Sequence, residues 1–286
     1  MLFQRMVVAG VGLIGGSLGL AARRRSLVGE VVGFGRGEEN LRTAVRIGAI
    51  DRYSLKPEEA ARGADLVVLA VPVRSTRRVA EALLPAASRD VTVIDVGSVK
   101  GEVVRDLEAA VAPPAAFVGC HPIAGTEHSG SVNALENLFD GHLCIITPTE
   151  RSAAQALERV GRLWEGVGMR VESMAPDLHD RLLALVSHLP HVAAYSLVSA
   201  IESERVAGRD PLAYCGGALR DTTRIAASHP EMWRDIFLAN RAAISRSIDL
   251  YENALRRLRE LIEGEDGDGL DRELSRIRTA RGRLVE

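Results

Sequence analysis

The sequence is poor in aromatic residues, at 4% of 286, and nearly devoid of lysine: Lys56 and Lys100 are the only lysines among 36 basic side chains. We read the arginine bias mainly as base composition of the gene, which makes each retained lysine worth noting. Neither charge sign is in excess. The 36 basic and 38 acidic side chains leave a net charge of -2, so no basic field advertises a nucleic acid or an anionic membrane as partner. The three cysteines, Cys120, Cys144 and Cys215, are far apart and in no CxxC spacing, which excludes a disulfide framework and a zinc site and fits a reducing cytoplasm. The N-terminus lacks a basic segment followed by an apolar stretch and a cleavage signal, so no secretory signal is expected. One apolar run, Leu182 to Ile201, approaches membrane-spanning length, but it carries His188, Pro190, His191 and three serines and is bracketed by Asp180, Arg181 and Glu202. The expectation is a buried helix with no membrane contact.

What is present is ordinary globular composition, 47% apolar and 26% charged, in a chain long enough for two domains and a substantial core. The first half alternates short β-rich runs with helical stretches. Met6 to Ala9, Glu30 to Phe34, Leu66 to Val71, Val91 to Asp95, Ala116 to Cys120 and Leu143 to Ile146 are compact, mostly Val/Ile/Leu runs bounded by turn residues. Continuously apolar strands separated by helices predict a parallel sheet covered on both faces, a doubly wound α/β domain. After about Asp177 the β signal vanishes. The predicted division is therefore a dinucleotide-binding domain over 1–175 and an all-α domain over 176–286.

Glu231 to Ile262 contains neither glycine nor proline and reads as one helix of roughly 45 Å. Within it Ile244, Ile248, Tyr251, Leu255, Leu258 and Ile262 are spaced 4, 3, 4, 3, 4, the seam of helix-to-helix packing. Because so long a seam needs a long partner, a homodimer built from the helical half is expected. Glu263 to Gly269 reads as an acidic turn before a last arginine-rich helix.

Val8-Ala9-Gly10-Val11-Gly12-Leu13-Ile14-Gly15 places G-x-G-x-x-G directly after a strand and at the opening of a helix. Gly10 allows the tight turn, Gly12 admits a pyrophosphate, Gly15 lets helix and strand pack closely, and the helix N-terminus, at Leu13 and Ile14, supplies partial positive charge. Where an NAD site presents an acid to the ribose, this chain has Gly35 followed by Arg36. That predicts NADP in preference to NAD. Val71-Pro72 and Asp95-Val96-Gly97-Ser98-Val99-Lys100 follow strands at the ends where open α/β sheets bind ligands. Ser98 is either a hydrogen-bonding site residue or a local turn or helix cap. His121, after Gly119-Cys120 and before Pro122, is either a general base beside the nicotinamide or a structural loop histidine. Ser187-His188-Leu189-Pro190-His191 sets two histidines on one helical face, and Arg224 either clamps a carboxylate or lies on the surface. No metal site is expected.

Together, G-x-G-x-x-G at Gly10, D-V-G-S-V-K at Asp95, G-C-H-P-I-A-G-T-E at Gly119, S-H-L-P-H at Ser187 and R-D-T-T-R-I followed by M-W-R-D at Arg220 resemble the prephenate/arogenate dehydrogenase family of tyrosine biosynthesis. The resemblance covers nearly the whole chain. It implies a Rossmann domain followed by a helical dimerisation domain, with catalytic His121, active-site Ser98, a substrate-contacting pair at His188 and His191, and a carboxylate-binding Arg224. Thr126, Glu127, Asp180 and Trp233 match positions that shape or gate the pocket, the tryptophan region being contributed across the dimer. Many relatives have an acid where Gly35 stands, so the family's NAD preference is not expected to carry over. No appended regulatory domain is expected after the last helix. The competing readings are another reductase of this architecture acting on β-hydroxy acids or imines, and a nucleotide-sensing protein that has lost catalysis.

Overall fold

Apolar β-branched runs form the centre of a single eight-stranded sheet in the computed structural model, which describes residues 1–126 and 128–284. The strands are β1 (Phe3–Ala9), β2 (Val28–Phe34), β3 (Arg52–Ser54), β4 (Leu66–Leu69), β5 (Thr92–Asp95), β6 (Ala116–Ile123), β7 (Leu143–Thr147) and β8 (Arg170–Ser173). Their order is β3-β2-β1-β4-β5-β6-β7-β8. The first six are parallel, β7 runs antiparallel to β6, and β8 is parallel to β7. The fully parallel sheet expected from sequence thus gains a reversed edge. The sequence pattern also missed β3 and β8, which are short, largely polar edge strands without the apolar run that marks a buried one.

The helices are α1 (Leu13–Arg24), α2 (Glu38–Arg46), α3 (Pro57–Ala60), α4 (Thr76–Leu83), α5 (Gly101–Ala110), α6 (Ala154–Gly166), α7 (Pro176–Leu183), α8 (Leu189–Glu202), α9 (Gly217–Thr223), α10 (Pro230–Ala239), α11 (Arg241–Glu263) and α12 (Gly267–Arg281). Helices on the two faces of the sheet bury separate apolar clusters, one containing Met6, Val8, Val31 and Trp164, the other Val7, Val67, Leu83 and Leu107. Alternate residues of β1 thus feed opposite clusters, as a strand covered on both faces requires.

The chain divides into two compact units, Met1–Arg241 and Ala242–Glu286. This break falls later than residue 175 because α7 packs on α5 and α10 packs on the turn 73–75. In the smaller unit Asp266 caps α12 by accepting from the Gly269 amide at 2.8 Å, and Tyr251, Leu255 and Ile262 of the predicted seam are exposed. The single helix expected over 231–262 is broken at Asn240 (φ -113°, ψ 27°). The side chain of Asn240 donates to the Asp180 carbonyl at 2.8 Å.

Between α7 and α8 the backbone widens to a π-turn over Ala184–His188. Pro190 lacks the amide that an α-helix would use there, and such widenings recur at functional sites. The continuous helical stretch Pro176–Glu202 is long and apolar enough to cross a membrane, yet its most apolar window is only 22% buried. The buried helix expected from sequence is therefore largely uncovered within one chain, with Leu182, Leu185, Val186 and Leu197 exposed.

The lysine at position 100 has a structural use. Its ammonium and the Asp95 carboxylate are both fully buried and paired. Lys100 Nζ also donates to the Cys120 carbonyl at 2.7 Å, while Asp95 accepts from the Gly97 and Cys120 amides at 2.8 and 3.2 Å. The pair therefore staples the carboxyl ends of β5 and β6 in one arrangement. Removing one member strands the other charge in the core. Lys100→Met should lower stability by about 3–5 kcal/mol, and adding Asp95→Asn should recover part of that loss, both read from urea midpoints. An unchanged midpoint in the single variant contradicts the reading.

Candidate active site

The sheet order reverses direction between β1 and β4, and the crevice beyond their carboxyl ends is where such sheets take dinucleotides. The turn there is shaped by glycine. Gly10 has φ +90°, and a Cβ on it would stand 2.2 Å from the Ala70 carbonyl oxygen. A Cβ on Gly15 would meet the Gly10 oxygen at 2.4 Å, whereas one on Gly12 would meet nothing within 4 Å. Gly10 and Gly15 thus let chain segments pack, and Gly12 leaves a gap for a ligand. Helix α1 starts without a side-chain cap or an acidic residue in its first turn, so the amides at Leu13 and Ile14 and the positive end of the helix dipole suit a pyrophosphate.

A cavity of about 830 Å³ opens beside this turn, lined among others by Gly12, Gly35, Arg36, Val71, Pro72, Ser75 and Arg78. No carboxylate is among its described lining residues. The predicted Gly10, Gly12, Gly35, Arg36, Val71 and Pro72 therefore share one cavity. Ser75 and Arg78 are additions that the sequence reading missed; nothing in the Arg74-to-Arg78 run distinguishes them before the fold brings α4 to the cavity.

His121 lies within β6 rather than just past it, because β6 continues to Ile123 by pairing with β7, His121 opposite Ile145. It is buried, and its Nδ1 is 2.8 Å from His179 Nε2. His179 is fully buried in turn, with Nδ1 2.8 Å from an oxygen of Asp180. The Asp180 carboxylate also accepts from the Lys100 and Gly101 amides, each at 2.8 Å. Asp180, expected to shape the pocket, grips the start of α5 and holds a histidine. His179 was not singled out in the sequence. A histidine beside an aspartate carries no signal until the fold joins positions 58 residues apart.

The remaining expected residues cluster around Trp233. Its ring stacks on His191 at 3.5 Å and meets His188 edge-on at 6.0 Å. Val99 of the β5–α5 loop packs with Trp233 and Ile236. Trp233 therefore sits against histidines of its own chain. His191 Nδ1 donates to the Ser187 carbonyl at 3.0 Å. His188 is fully buried, its Nδ1 3.2 Å from Asn240 Nδ2 and its Nε2 without a hydrogen-bond partner. His188 thus backs Trp233, while His191 is half-buried. Asn240 was missed because the sequence there reads as uninterrupted helix. Ser98 is half-buried in the β5–α5 loop and does not cap α5. Arg224 is exposed at the start of the 3-10 turn Arg224–Ala227, which packs on α8, the helix of His191. Thr126 is exposed and accepts from the His128 amide at 3.3 Å. Glu127 lies outside the described residues.

Two family models match nearly the whole chain: the nucleotide-binding domain of prephenate dehydrogenase over residues 18–173 and its dimerization domain over 175–276. The chain belongs to the prephenate dehydrogenase family. It is 38% identical to a cyclohexadienyl dehydrogenase of Zymomonas mobilis, across 94% of this chain and 92% of that one. Identity to a prephenate dehydrogenase of Bacillus subtilis is 33%, across 93% and 72%. Among solved structures, Aquifex aeolicus prephenate dehydrogenase in complex with hydroxyphenyl propionate and NAD+ superposes with a TM-score of 0.93 at 40% identity, covering 99% and 98% of the two chains. An arogenate dehydrogenase of Synechocystis gives 0.84 at 28%, covering 99% and 100%. A 3-hydroxyisobutyrate dehydrogenase of Mycobacterium tuberculosis, with 0.53 at 16% and coverage of 84% and 94%, shares the fold alone.

The histidines of the site are held neutral. Burial, then the neighbouring His179, Lys100 and His188, push His121 well below the usual imidazole range. Burial takes His188 down to about 4 and also lowers His179 and His191. Burial alone would raise Asp180, but His179 and the two backbone amides outweigh it and keep the carboxyl below its usual range. Below pH 6.5 the unfolded chain takes up protons that the folded histidines refuse, so stability rises with pH there. Tm should be constant above about pH 7 and fall between 6.5 and 5, before carboxylates titrate in the unfolded chain. A flat Tm across that interval contradicts buried neutral imidazoles.

Proposed function

We propose that the protein oxidatively decarboxylates prephenate, arogenate or both, passing hydride to NAD(P)+ in tyrosine biosynthesis. The observation that carries this reading is a buried, neutral His121 whose Nδ1 is occupied by His179. Its Nε2 is left for a substrate hydroxyl. The substrates are cyclohexadienols with a ring carboxylate and a 4-hydroxyl. Hydride leaves C4 as the hydroxyl proton passes to His121; the ring carboxylate departs as CO2, the electron pair of its bond flows through the ring to the C4 oxygen, that oxygen takes the proton back as a phenol, and aromatisation drives the step.

A nicotinamide dinucleotide, when bound, supplies the hydride acceptor. The glycine turn and the α1 amides hold its pyrophosphate, and Val71 and Pro72 line its path. Arg36 and Arg78, with Ser75 beside them and no carboxylate among the described lining residues, favour a 2'-phosphate, hence NADP. Arg224 holds a substrate carboxylate, Ser98 orients the reacting groups, and His191 with Trp233 forms a wall of the pocket. The uncovered face bearing Leu185 and Val186, within the region matched by the dimerization model, is the surface through which two copies form a homodimer.

Steady-state assays crossing prephenate and arogenate with NAD+ and NADP+ test the reading. Turnover of at least one substrate is expected, with the higher kcat/KM for NADP+. Arg36→Ala should lower kcat/KM for NADP+ by roughly 10- to 100-fold and leave the NAD+ value nearly unchanged. His121→Asn should keep cofactor binding and lose about 10²- to 10⁴-fold in kcat. No turnover of either substrate refutes the function, and a clear NAD+ advantage refutes the cofactor preference.

Sedimentation should give twice the 30.8 kDa chain mass, and Val186→Glu should shift the protein toward monomer. A monomeric wild type refutes the dimer.

A further inference from the structure

We propose that His179 is a positioning residue that selects the tautomer of His121, acting as the middle member of an Asp180–His179–His121 hydrogen-bond relay. This rests on the dehydrogenase reading of His121 given above. Donors and acceptors must alternate along the three side chains. The Asp180 carboxylate accepts from two backbone amides and lies 2.8 Å from His179 Nδ1. An ionised carboxylate has no proton to give, so His179 Nδ1 must carry one and donate it. A neutral imidazole has a single N–H, which leaves His179 Nε2 an acceptor. That nitrogen is 2.8 Å from His121 Nδ1, and one of the two must donate. His121 therefore carries its proton on Nδ1. Its Nε2 is left with a bare lone pair, the form a general base needs.

The relay has rigid supports. His179 is fully buried, so no solvent competes for either nitrogen. Asp180 is anchored to the start of α5 by the Lys100 and Gly101 amides, and a Cβ at Gly101 would stand 3.0 Å from its Oδ2. Lys100 Nζ donates to the Cys120 carbonyl next to His121. The same short segment thus fixes both ends of the relay. In the opposite tautomer His121 Nδ1 and His179 Nε2 would face each other as two acceptors, or His179 Nδ1 would face the carboxylate without a proton.

Two substitutions separate tautomer selection from packing. In His179→Gln the amide sits near the Nε2 position and can still accept from His121; in His179→Asn it sits near the Nδ1 position and reaches only Asp180. With prephenate or arogenate as substrate, Asn should reduce kcat between about 10-fold and the 10⁴-fold seen when a catalytic histidine is held in the wrong tautomer. KM and the Kd for NADP+ should stay within about twofold of wild type. Gln should recover most of the lost kcat. A purely structural role predicts instead that kcat follows Tm in the two variants. Equal loss in both, retention of kcat in Asn, or a loss confined to KM overturns the relay. If the wild type turns over neither substrate, it is the dehydrogenase reading that fails.

Discussion

A single buried carboxylate holds the site together. Asp180 receives the Lys100 and Gly101 amides and lies against His179 Nδ1, so one ionised group ends a helix of the nucleotide-binding region and orients a histidine on α7. The first amides of a helix have no intrahelical partners, and the positive end of the helix dipole favours an anion there. Helix α5 has no side-chain cap of its own. The carboxylate that meets this need comes from a distant part of the sequence, and its position determines where His179 and then His121 stand.

Around that carboxylate the charges are few and paired. Lys100 is matched to Asp95 in the core, and the surrounding imidazoles are kept neutral by burial and by the nearby ammonium. The arrangement keeps His121 deprotonated at neutral pH without a carboxylate in contact with it. Trp233 completes the region by stacking on His191 and packing against Val99, which links the helical residues to the loop that carries Ser98. The family match assigns the chain to the prephenate dehydrogenases; the donor and acceptor pattern orders the contacts within it.

Much of this was legible in the sequence where local pattern and local chemistry coincide. The glycine turn after β1, the apolar central strands and the loss of β signal after Asp177 all follow from short-range periodicity. Edge strands such as Arg52–Ser54 were not legible, because polar edge residues carry no burial pattern. The break at Asn240 was hidden for a similar reason: asparagine is tolerated in a helix, and only its bond to the Asp180 carbonyl shows why the helix stops. Burial of the run Leu182 to Ile201 was over-read, since apolar composition does not say whether the covering surface belongs to the same chain. His179 was the largest omission. Its role depends entirely on which side chains the fold places at its two nitrogens.

The protonation of His121 is therefore the quantity on which the account turns. Two-bond ¹H–¹⁵N correlation spectra of the ¹⁵N-histidine-labelled protein at pH 7, assigned with His121→Asn, report it directly. A protonated Nδ1 and an unprotonated Nε2 are expected for that ring. A spectrum showing the proton on Nε2, or on both nitrogens, contradicts it.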